Sequence, residues 1–152
     1  MTYTMIEGRR KVLADLAIAV EQIAVSMGAL EAAYEQLDDG HAGVLEERIF
    51  RPAQLAYGRA QRTHRAFAAR SGLPGRSFDS ASSGPHVQSV QTLIDRAAYA
   101  AAQADITISS LQDSMLPVEV GDPELRAGLS QTREALAAIP LGARDLVRTV
   151  GR

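Results

Sequence analysis

Residues 13–37 read LADLAIAVEQIAVSMGALEAAYEQL, and the apolar positions Leu13, Leu16, Val20, Ile23, Met27, Leu30, Tyr34 and Leu37 recur at alternating steps of three and four. That spacing places all eight on one narrow stripe of an α-helix, the kind of seam along which helices pack at shallow angles. The pattern returns further on through Val87, Val90, Ile94, Ala97, Ala101, Ala104, Ile108, Leu111 and Met115. Two such runs, with no strand-like alternation of convincing length elsewhere, predict an all-α protein.

Boundaries follow from the breakers and caps around these runs. Thr4 and Glu7 have the capping-box spacing, so helix 1 is expected over about 5–37, ended by Asp38, Asp39 and a Gly40 able to adopt a left-handed backbone. Helix 2 is expected over about 43–70, with Leu45, Ile49, Ala53, Ala56, Ala60 and Phe67 on its apolar face. Pro52 lacks an N–H and clashes with the preceding turn, so it predicts a kink there or a helix starting near Arg51. The stretch from Gly72 to Pro85 is rich in turn formers and predicts a long loop. Helix 3 is expected over about 85–115, opened by Pro85 at its first position. Asp122 reads as the N-cap of a helix over about 123–139, with the stripe Leu125, Leu129, Thr132, Leu136 and Ile139. The same spacing continues through Ala143, Leu146 and Val150, a possible extension over 143–150 beyond Pro140 and Gly142.

At 152 residues the chain suits a single domain with a core of its own, expected to span 1–152. Four amphipathic segments, three of them long, predict an antiparallel four-helix bundle in up-down-up-down order, with a shorter fourth helix kinked or broken at Pro140. A helix of about 30 residues is roughly 45 Å long, so a rod is expected.

Composition excludes more chemistry than it suggests. There is no cysteine, hence no disulfide, thiolate metal site or cysteine nucleophile. No run approaches the roughly 18 consecutive apolar residues of a membrane span, and Met1–Arg10 lacks signal-peptide order, so a cytoplasmic protein is expected. The three histidines, His41, His64 and His86, share no metal-binding spacing with each other or with glutamate, and no metal or cofactor is expected. His64 reads as a structural histidine at the edge of helix 2's apolar face. Ser77, Ser80, Ser82 and Ser83 lie near His86, but in a glycine-proline loop they read as turn residues rather than nucleophiles. Gly72, Gly75 and Gly84 lack the lysine and the preceding strand of a phosphate loop. Asp105, at the edge of an alanine-rich stretch, is expected to pair with an arginine such as Arg133. No catalytic residue is expected.

Surfaces remain. Helix 1 carries Ile18 and Val25, and helix 3 carries Tyr99 and Ile106, opposite their main seams at heptad spacing. A second apolar stripe implies association, so the leading expectation is an interaction or assembly protein acting through helical surfaces. Its partner is expected to be a second copy or another helical protein. Helix 2 carries Arg48, Arg51, Arg59, Arg62, Arg65 and Arg70 on the face opposite its apolar residues. These make nucleic-acid or phosphate-ligand binding the alternative, although the net charge of −2 gives no global pull toward polyanions. The bland account of the same arginines is a solvated face paired with Glu46, Glu47 and the acidic end of helix 1, Glu31, Glu35, Asp38 and Asp39. A bundle binding a small ligand beside Ala97, Ala101 and Ala104 is a third reading.

Overall fold

A computed structural model describes residues 5–79 and 88–150. Among them there is no strand, and the chain is helical almost throughout: α1 (Met5–Gln36), α2 (Asp39–Leu45), a π-helical turn (Glu46–Phe50), α3 (Arg51–Ser71), α4 (Val90–Asp113), α5 (Leu116–Glu119), α6 (Pro123–Leu136) and α7 (Ala138–Val150). The expected capping residue Thr4 lies outside the described residues. Asp38 does not merely end α1. Its carboxylate accepts from the His41 N–H at 2.9 Å and caps α2, so that helix starts four residues earlier than expected and Gly40 is helical rather than left-handed.

The break expected at Pro52 takes the form of the π turn. Position 52 offers no N–H to the carbonyl of Arg48, and in a regular α-helix its ring would press on that carbonyl. One extra residue in the preceding turn relieves the pressure: the Arg51 N–H bonds Glu46 O, five residues back, and the backbone stays right-handed helical on both sides. Asp39 to Ser71 is therefore one continuous helical column. Gly72, at φ 67°, closes it with the left-handed residue that L side chains disfavour. Position 140 acts in the same way at longer range. The carbonyl four residues before Pro140 is that of Leu136, and α6 stops there, with Pro140 placed in the first turn of α7 where no N–H is needed.

α4 starts at Val90, where Ser89 accepts from the Thr92 N–H at 3.1 Å; Gln88 and Ser89 are not helical, and the expected start at Pro85 lies outside the described residues. The helix ends at Asp113, because Met115 adopts φ 66°.

Directions of the helices overturn the expected up-down-up-down order. Gln36 bonds the Gln88 carbonyl (2.9 Å), Ser26 the Ala97 carbonyl (2.8 Å), and Thr107 donates to Gln22 (2.9 Å), so numbers fall along α1 as they rise along α4. α1 and α4 are antiparallel, where the expected order makes the first and third helices parallel. α3 also runs against α1: His64 reaches Leu13 near one end, and Phe50 and Glu46 share a groove with Glu31, Tyr34 and Glu35 near the other. α6 opposes α3 through Arg70–Asp122 and Arg59–Gln131, and opposes α4 through Asp105–Arg133 and Gln112–Ser130. The order is thus up-down-down-up, every packed neighbour antiparallel, with α3 and α4 pointing the same way. A connection between two parallel helices must return along their length, about 35 Å for a 24-residue helix. Residues 72–89, at up to about 3.3 Å each, span this with slack, whereas a hairpin would need only about 2–8 residues.

The expected seams form the core. Leu16, Val20, Ile23 and Leu30 of α1, Ile94, Ala97, Ala101, Ala104, Ile108 and Leu111 of α4, and Leu45, Ile49, Ala53, Ala56, Ala60 and Phe67 of the α2–α3 column are all buried. So are Leu125, Leu129, Thr132, Leu136, Ile139, Ala143 and Leu146. Two seam ends depart from expectation: Tyr34 and Met115 are exposed, Met115 because it lies in the left-handed turn past the end of α4. Contacts along the seams are close where residues are small. Ser26 is buried with its hydroxyl on an α4 carbonyl. A Cβ on Gly142 would stand 2.9 Å from the Arg48 carbonyl, the one that Pro52 leaves without its α-helical donor.

α1 contains an 18-residue window of mean hydropathy 1.6, long and apolar enough by length and composition to cross a membrane. Within the fold 61% of that window is buried.

Candidate interaction surfaces

α1 is the helix most surrounded by others, with α4 against one flank and α3 against the other. Ala19, Ser26, Ala29 and Ala33 of α1 are buried, and Ser26 donates to the Ala97 carbonyl of α4. Just outside that contact the surface stays apolar. Ile18 is 49% exposed, Val25 42%, Tyr99 68% and Ile106 55%, so all four predicted interface residues stand in solvent. The helical period sets Ile18 and Val25 beside Gln22, and sets Tyr99 and Ile106 beside Gln103 and Thr107. The Gln22–Thr107 bond then joins the two stripes across the α1–α4 groove. Charge is sparse here: Glu21 is the one charged residue between Leu16 and Leu30, and Asp105 the one between Ala97 and Gln112. Asp105 faces away, paired with Arg133 at 2.8 Å as expected, and Arg133 also bonds Gln112. The bond to Asp105 raises the guanidinium pKa.

The arginine face has different partners from those anticipated. Among the described residues, none of Arg48, Arg51, Arg59, Arg62, Arg65 and Arg70 forms an ion pair with Glu31, Glu35, Asp38, Asp39, Glu46 or Glu47. Arg70 instead grips Asp122 through two bonds of 2.8 and 2.9 Å and pairs with Glu124 at 2.9 Å, while Arg59 donates to the Gln131 carbonyl at 2.8 Å. The reason is directional: this side of α3 faces α6, which no linear projection of helix 2 could place. Burial raises the pKa of Asp122, but the Arg70 guanidinium and the capped N–H of Leu125 together outweigh burial and hold it below the usual carboxylate range. A groove of about 260 Å³ runs between α3 and α6, lined in part by Arg59, Arg62, Arg70, Glu124 and Gly128. Arg48, Arg51, Arg62 and Arg65 are exposed on its rim and beyond.

A groove of about 420 Å³ lined by Glu31, Tyr34, Glu35, Glu46 and Phe50 brings together residues that sequence reading kept apart, because it forms only where α1 meets the π turn. Among the described residues no three metal-ligating side chains converge. His41 contacts Asp38 at 2.6 Å at the α2 cap, and the His41 N–H lowers the Asp38 pKa. Ala97, Ala101 and Ala104 are all buried, and the Ala97 carbonyl accepts from Ser26 of α1. Ser77 is exposed, whereas Ser80, Ser82, Ser83 and His86 lie outside the described residues.

His64 is buried, 3% exposed. Nδ1 is buried with no hydrogen-bond partner, and the Phe78 ring meets the imidazole edge-on at 5.2 Å. Burial lowers its pKa and the nearby Arg76 charge lowers it further, against a smaller raising effect of the Leu13 backbone.

Comparison of the chain with protein-family models, with curated proteins and with solved structures finds no match.

Proposed function

We propose that this chain is a non-enzymatic interaction protein of the cytoplasm: a four-helix bundle, with α2–α3 and α6–α7 each serving as one column, that pairs with a second copy through the outer α1–α4 face. The observation that carries this is the pair of exposed stripes, Ile18 and Val25 beside Tyr99 and Ile106, joined across the α1–α4 groove on a surface almost without charge. Scattered exposed apolar residues are ordinary, but a charge-poor strip spanning two packed helices is the composition of an interface centre. A two-fold pairing would let each stripe meet its own copy.

Light scattering after size exclusion tests it. The unmodified chain is expected at twice its 16.2 kDa mass, and Ile18→Glu with Ile106→Glu is expected to elute as a folded monomer. A monomer for the unmodified chain at high micromolar concentration overturns the reading. A second reading rests on a separate observation, the exposed arginines without ion pairs beside the α3–α6 groove. If that face holds phosphate or nucleic acid, binding falls steeply with salt and is lost in Arg59→Glu with Arg62→Glu. No binding at low salt removes it.

A further inference from the structure

Leu73–Asp79 is the only non-helical cover over His64 among the described residues; it is anchored at Leu73, whose N–H bonds the Ala68 carbonyl at 2.9 Å and whose side chain, like that of Phe78, packs on the core, and its other contacts are light. Arg76 pairs with Glu21 of α1 at 3.1 Å in an ion pair whose side chains are each about half exposed, the Tyr57 hydroxyl reaches the Phe78 carbonyl at 3.4 Å, and the Arg76 guanidinium lies 4.4 Å over the Phe78 ring. Exposed pairs and long hydrogen bonds of this kind contribute little. What the segment does closely is seal His64, with Phe78 packed against its ring.

We propose that Leu73–Asp79 is an acid-released strap, closed while His64 is neutral and freed when the ring takes a second proton. A neutral imidazole has one N–H and one bare nitrogen. Here Nδ1 is buried with no hydrogen-bond partner, which a neutral ring tolerates at modest cost. A second proton would place an N–H on Nδ1 with no acceptor and a buried charge with no counter-ion. The charged groups around the ring offer no relief. From the strap comes Arg76, of the wrong sign, and Asp79, whose charge acts on Tyr57. From α1 comes Glu21, already paired with Arg76; from α3 comes Tyr57, neutral, with its own pKa raised first by burial and then by Asp79. Lifting the strap brings the imidazolium to water and leaves the helical core in place.

The sign follows from the depressed pKa. Closure is fully supported above the ordinary histidine value of about 6.5 and is lost as pH falls through the lower value of the closed state. The chain has no tryptophan, so Phe78→Trp supplies a single fluorophore at the strap. Titrated from about pH 8 to pH 5, its emission is expected to shift red in one step while far-UV circular dichroism stays constant. Amide exchange of the unmodified chain, corrected for its intrinsic pH dependence, is expected to keep its protection in the helices across the step. Arg76→Gln moves the step to higher pH, and His64→Leu abolishes it. An emission maximum of Phe78→Trp that stays constant across this range overturns the proposal. So does a step that survives His64→Leu, or one that coincides with loss of helix.

Discussion

Two glycines on helices separate local propensity from packing. Gly43 lies in α2 with nothing within 4 Å of where a Cβ would stand. Gly128 lies in α6, where an added Cβ would collide with Thr63 of α3: it overlaps Oγ1 and stands 2.8 Å from Cγ2 and 3.0 Å from Cβ. Replacing an interior helical glycine by alanine gains about 1 kcal/mol through the unfolded chain and helix propensity. Gly43→Ala should keep most of that gain, about 0.5–1 kcal/mol. At Gly128 the gain meets overpacking, which costs about 1–3 kcal/mol. Thr63 cannot swing aside easily, being β-branched and tied by its hydroxyl to the Arg59 carbonyl at 2.7 Å. Gly128→Ala is therefore expected to lose about 1 kcal/mol net, or about 2–4 °C in Tm for a chain of this size. Urea unfolding followed by circular dichroism measures both variants, with an unchanged slope showing that the unfolded state is the same. Thr63→Ala removes the two worst contacts, so in a double-mutant cycle it should return part of the loss. If Gly128→Ala is as stabilising as Gly43→Ala, α3 and α6 do not approach as described and the reasoning fails.

Other outcomes follow from single contacts. Asp122→Ala removes the cap of α6 and the two-bond partner of Arg70; urea titration should show a loss of about 1–2 kcal/mol at neutral pH. The folded-state pKa of Asp122 is depressed, so its contribution is present above the ordinary carboxylate value and lost as pH falls through the depressed one; acid titration should show the gap between Asp122→Ala and the unmodified chain closing on that limb. Ser26→Ala should cost only about 0.5–1.5 kcal/mol, since the Ala97 carbonyl lies within α4 and its helical bond is independent of Ser26, while Ser26→Val should cost more by forcing α1 and α4 apart. Arg133→Met, measured the same way, should cost about 1 kcal/mol or less, because both the arginine and Asp105 remain partly exposed.

The seams were legible because a helix imposes its period on whatever it buries. Leu16, Val20, Ile23 and Leu30, or Leu125, Leu129 and Leu136, mark the core by spacing alone. Asp122 as a cap and Asp105 as a partner of Arg133 were legible for a local reason and a chemical one: a cap acts within three residues, and a carboxylate at a packed edge needs a cation. The partners of the arginine face were not legible, because pairing depends on which helix stands opposite. Nor was the groove joining Tyr34 to Phe50, since the π turn that shapes it answers to Pro52 and not to any apolar period. His64 was read as structural, and it is buried; its unsatisfied nitrogen and its cover by Phe78 come from a loop with no period at all.

The sequence by itself determined most of what is helical and which face of each long helix is buried, since these depend on interactions a few residues long. Only the tertiary structure decided the direction of α4. Both orders bury the same stripes, and an apolar stripe reads the same from either end. What distinguishes them are contacts with polarity or shape, such as Ser26 on Ala97, Gln22 with Thr107 and the fit of Gly128 on Thr63, and the length of the connection from Gly72 to Ser89 that lets the chain climb back before α4 begins.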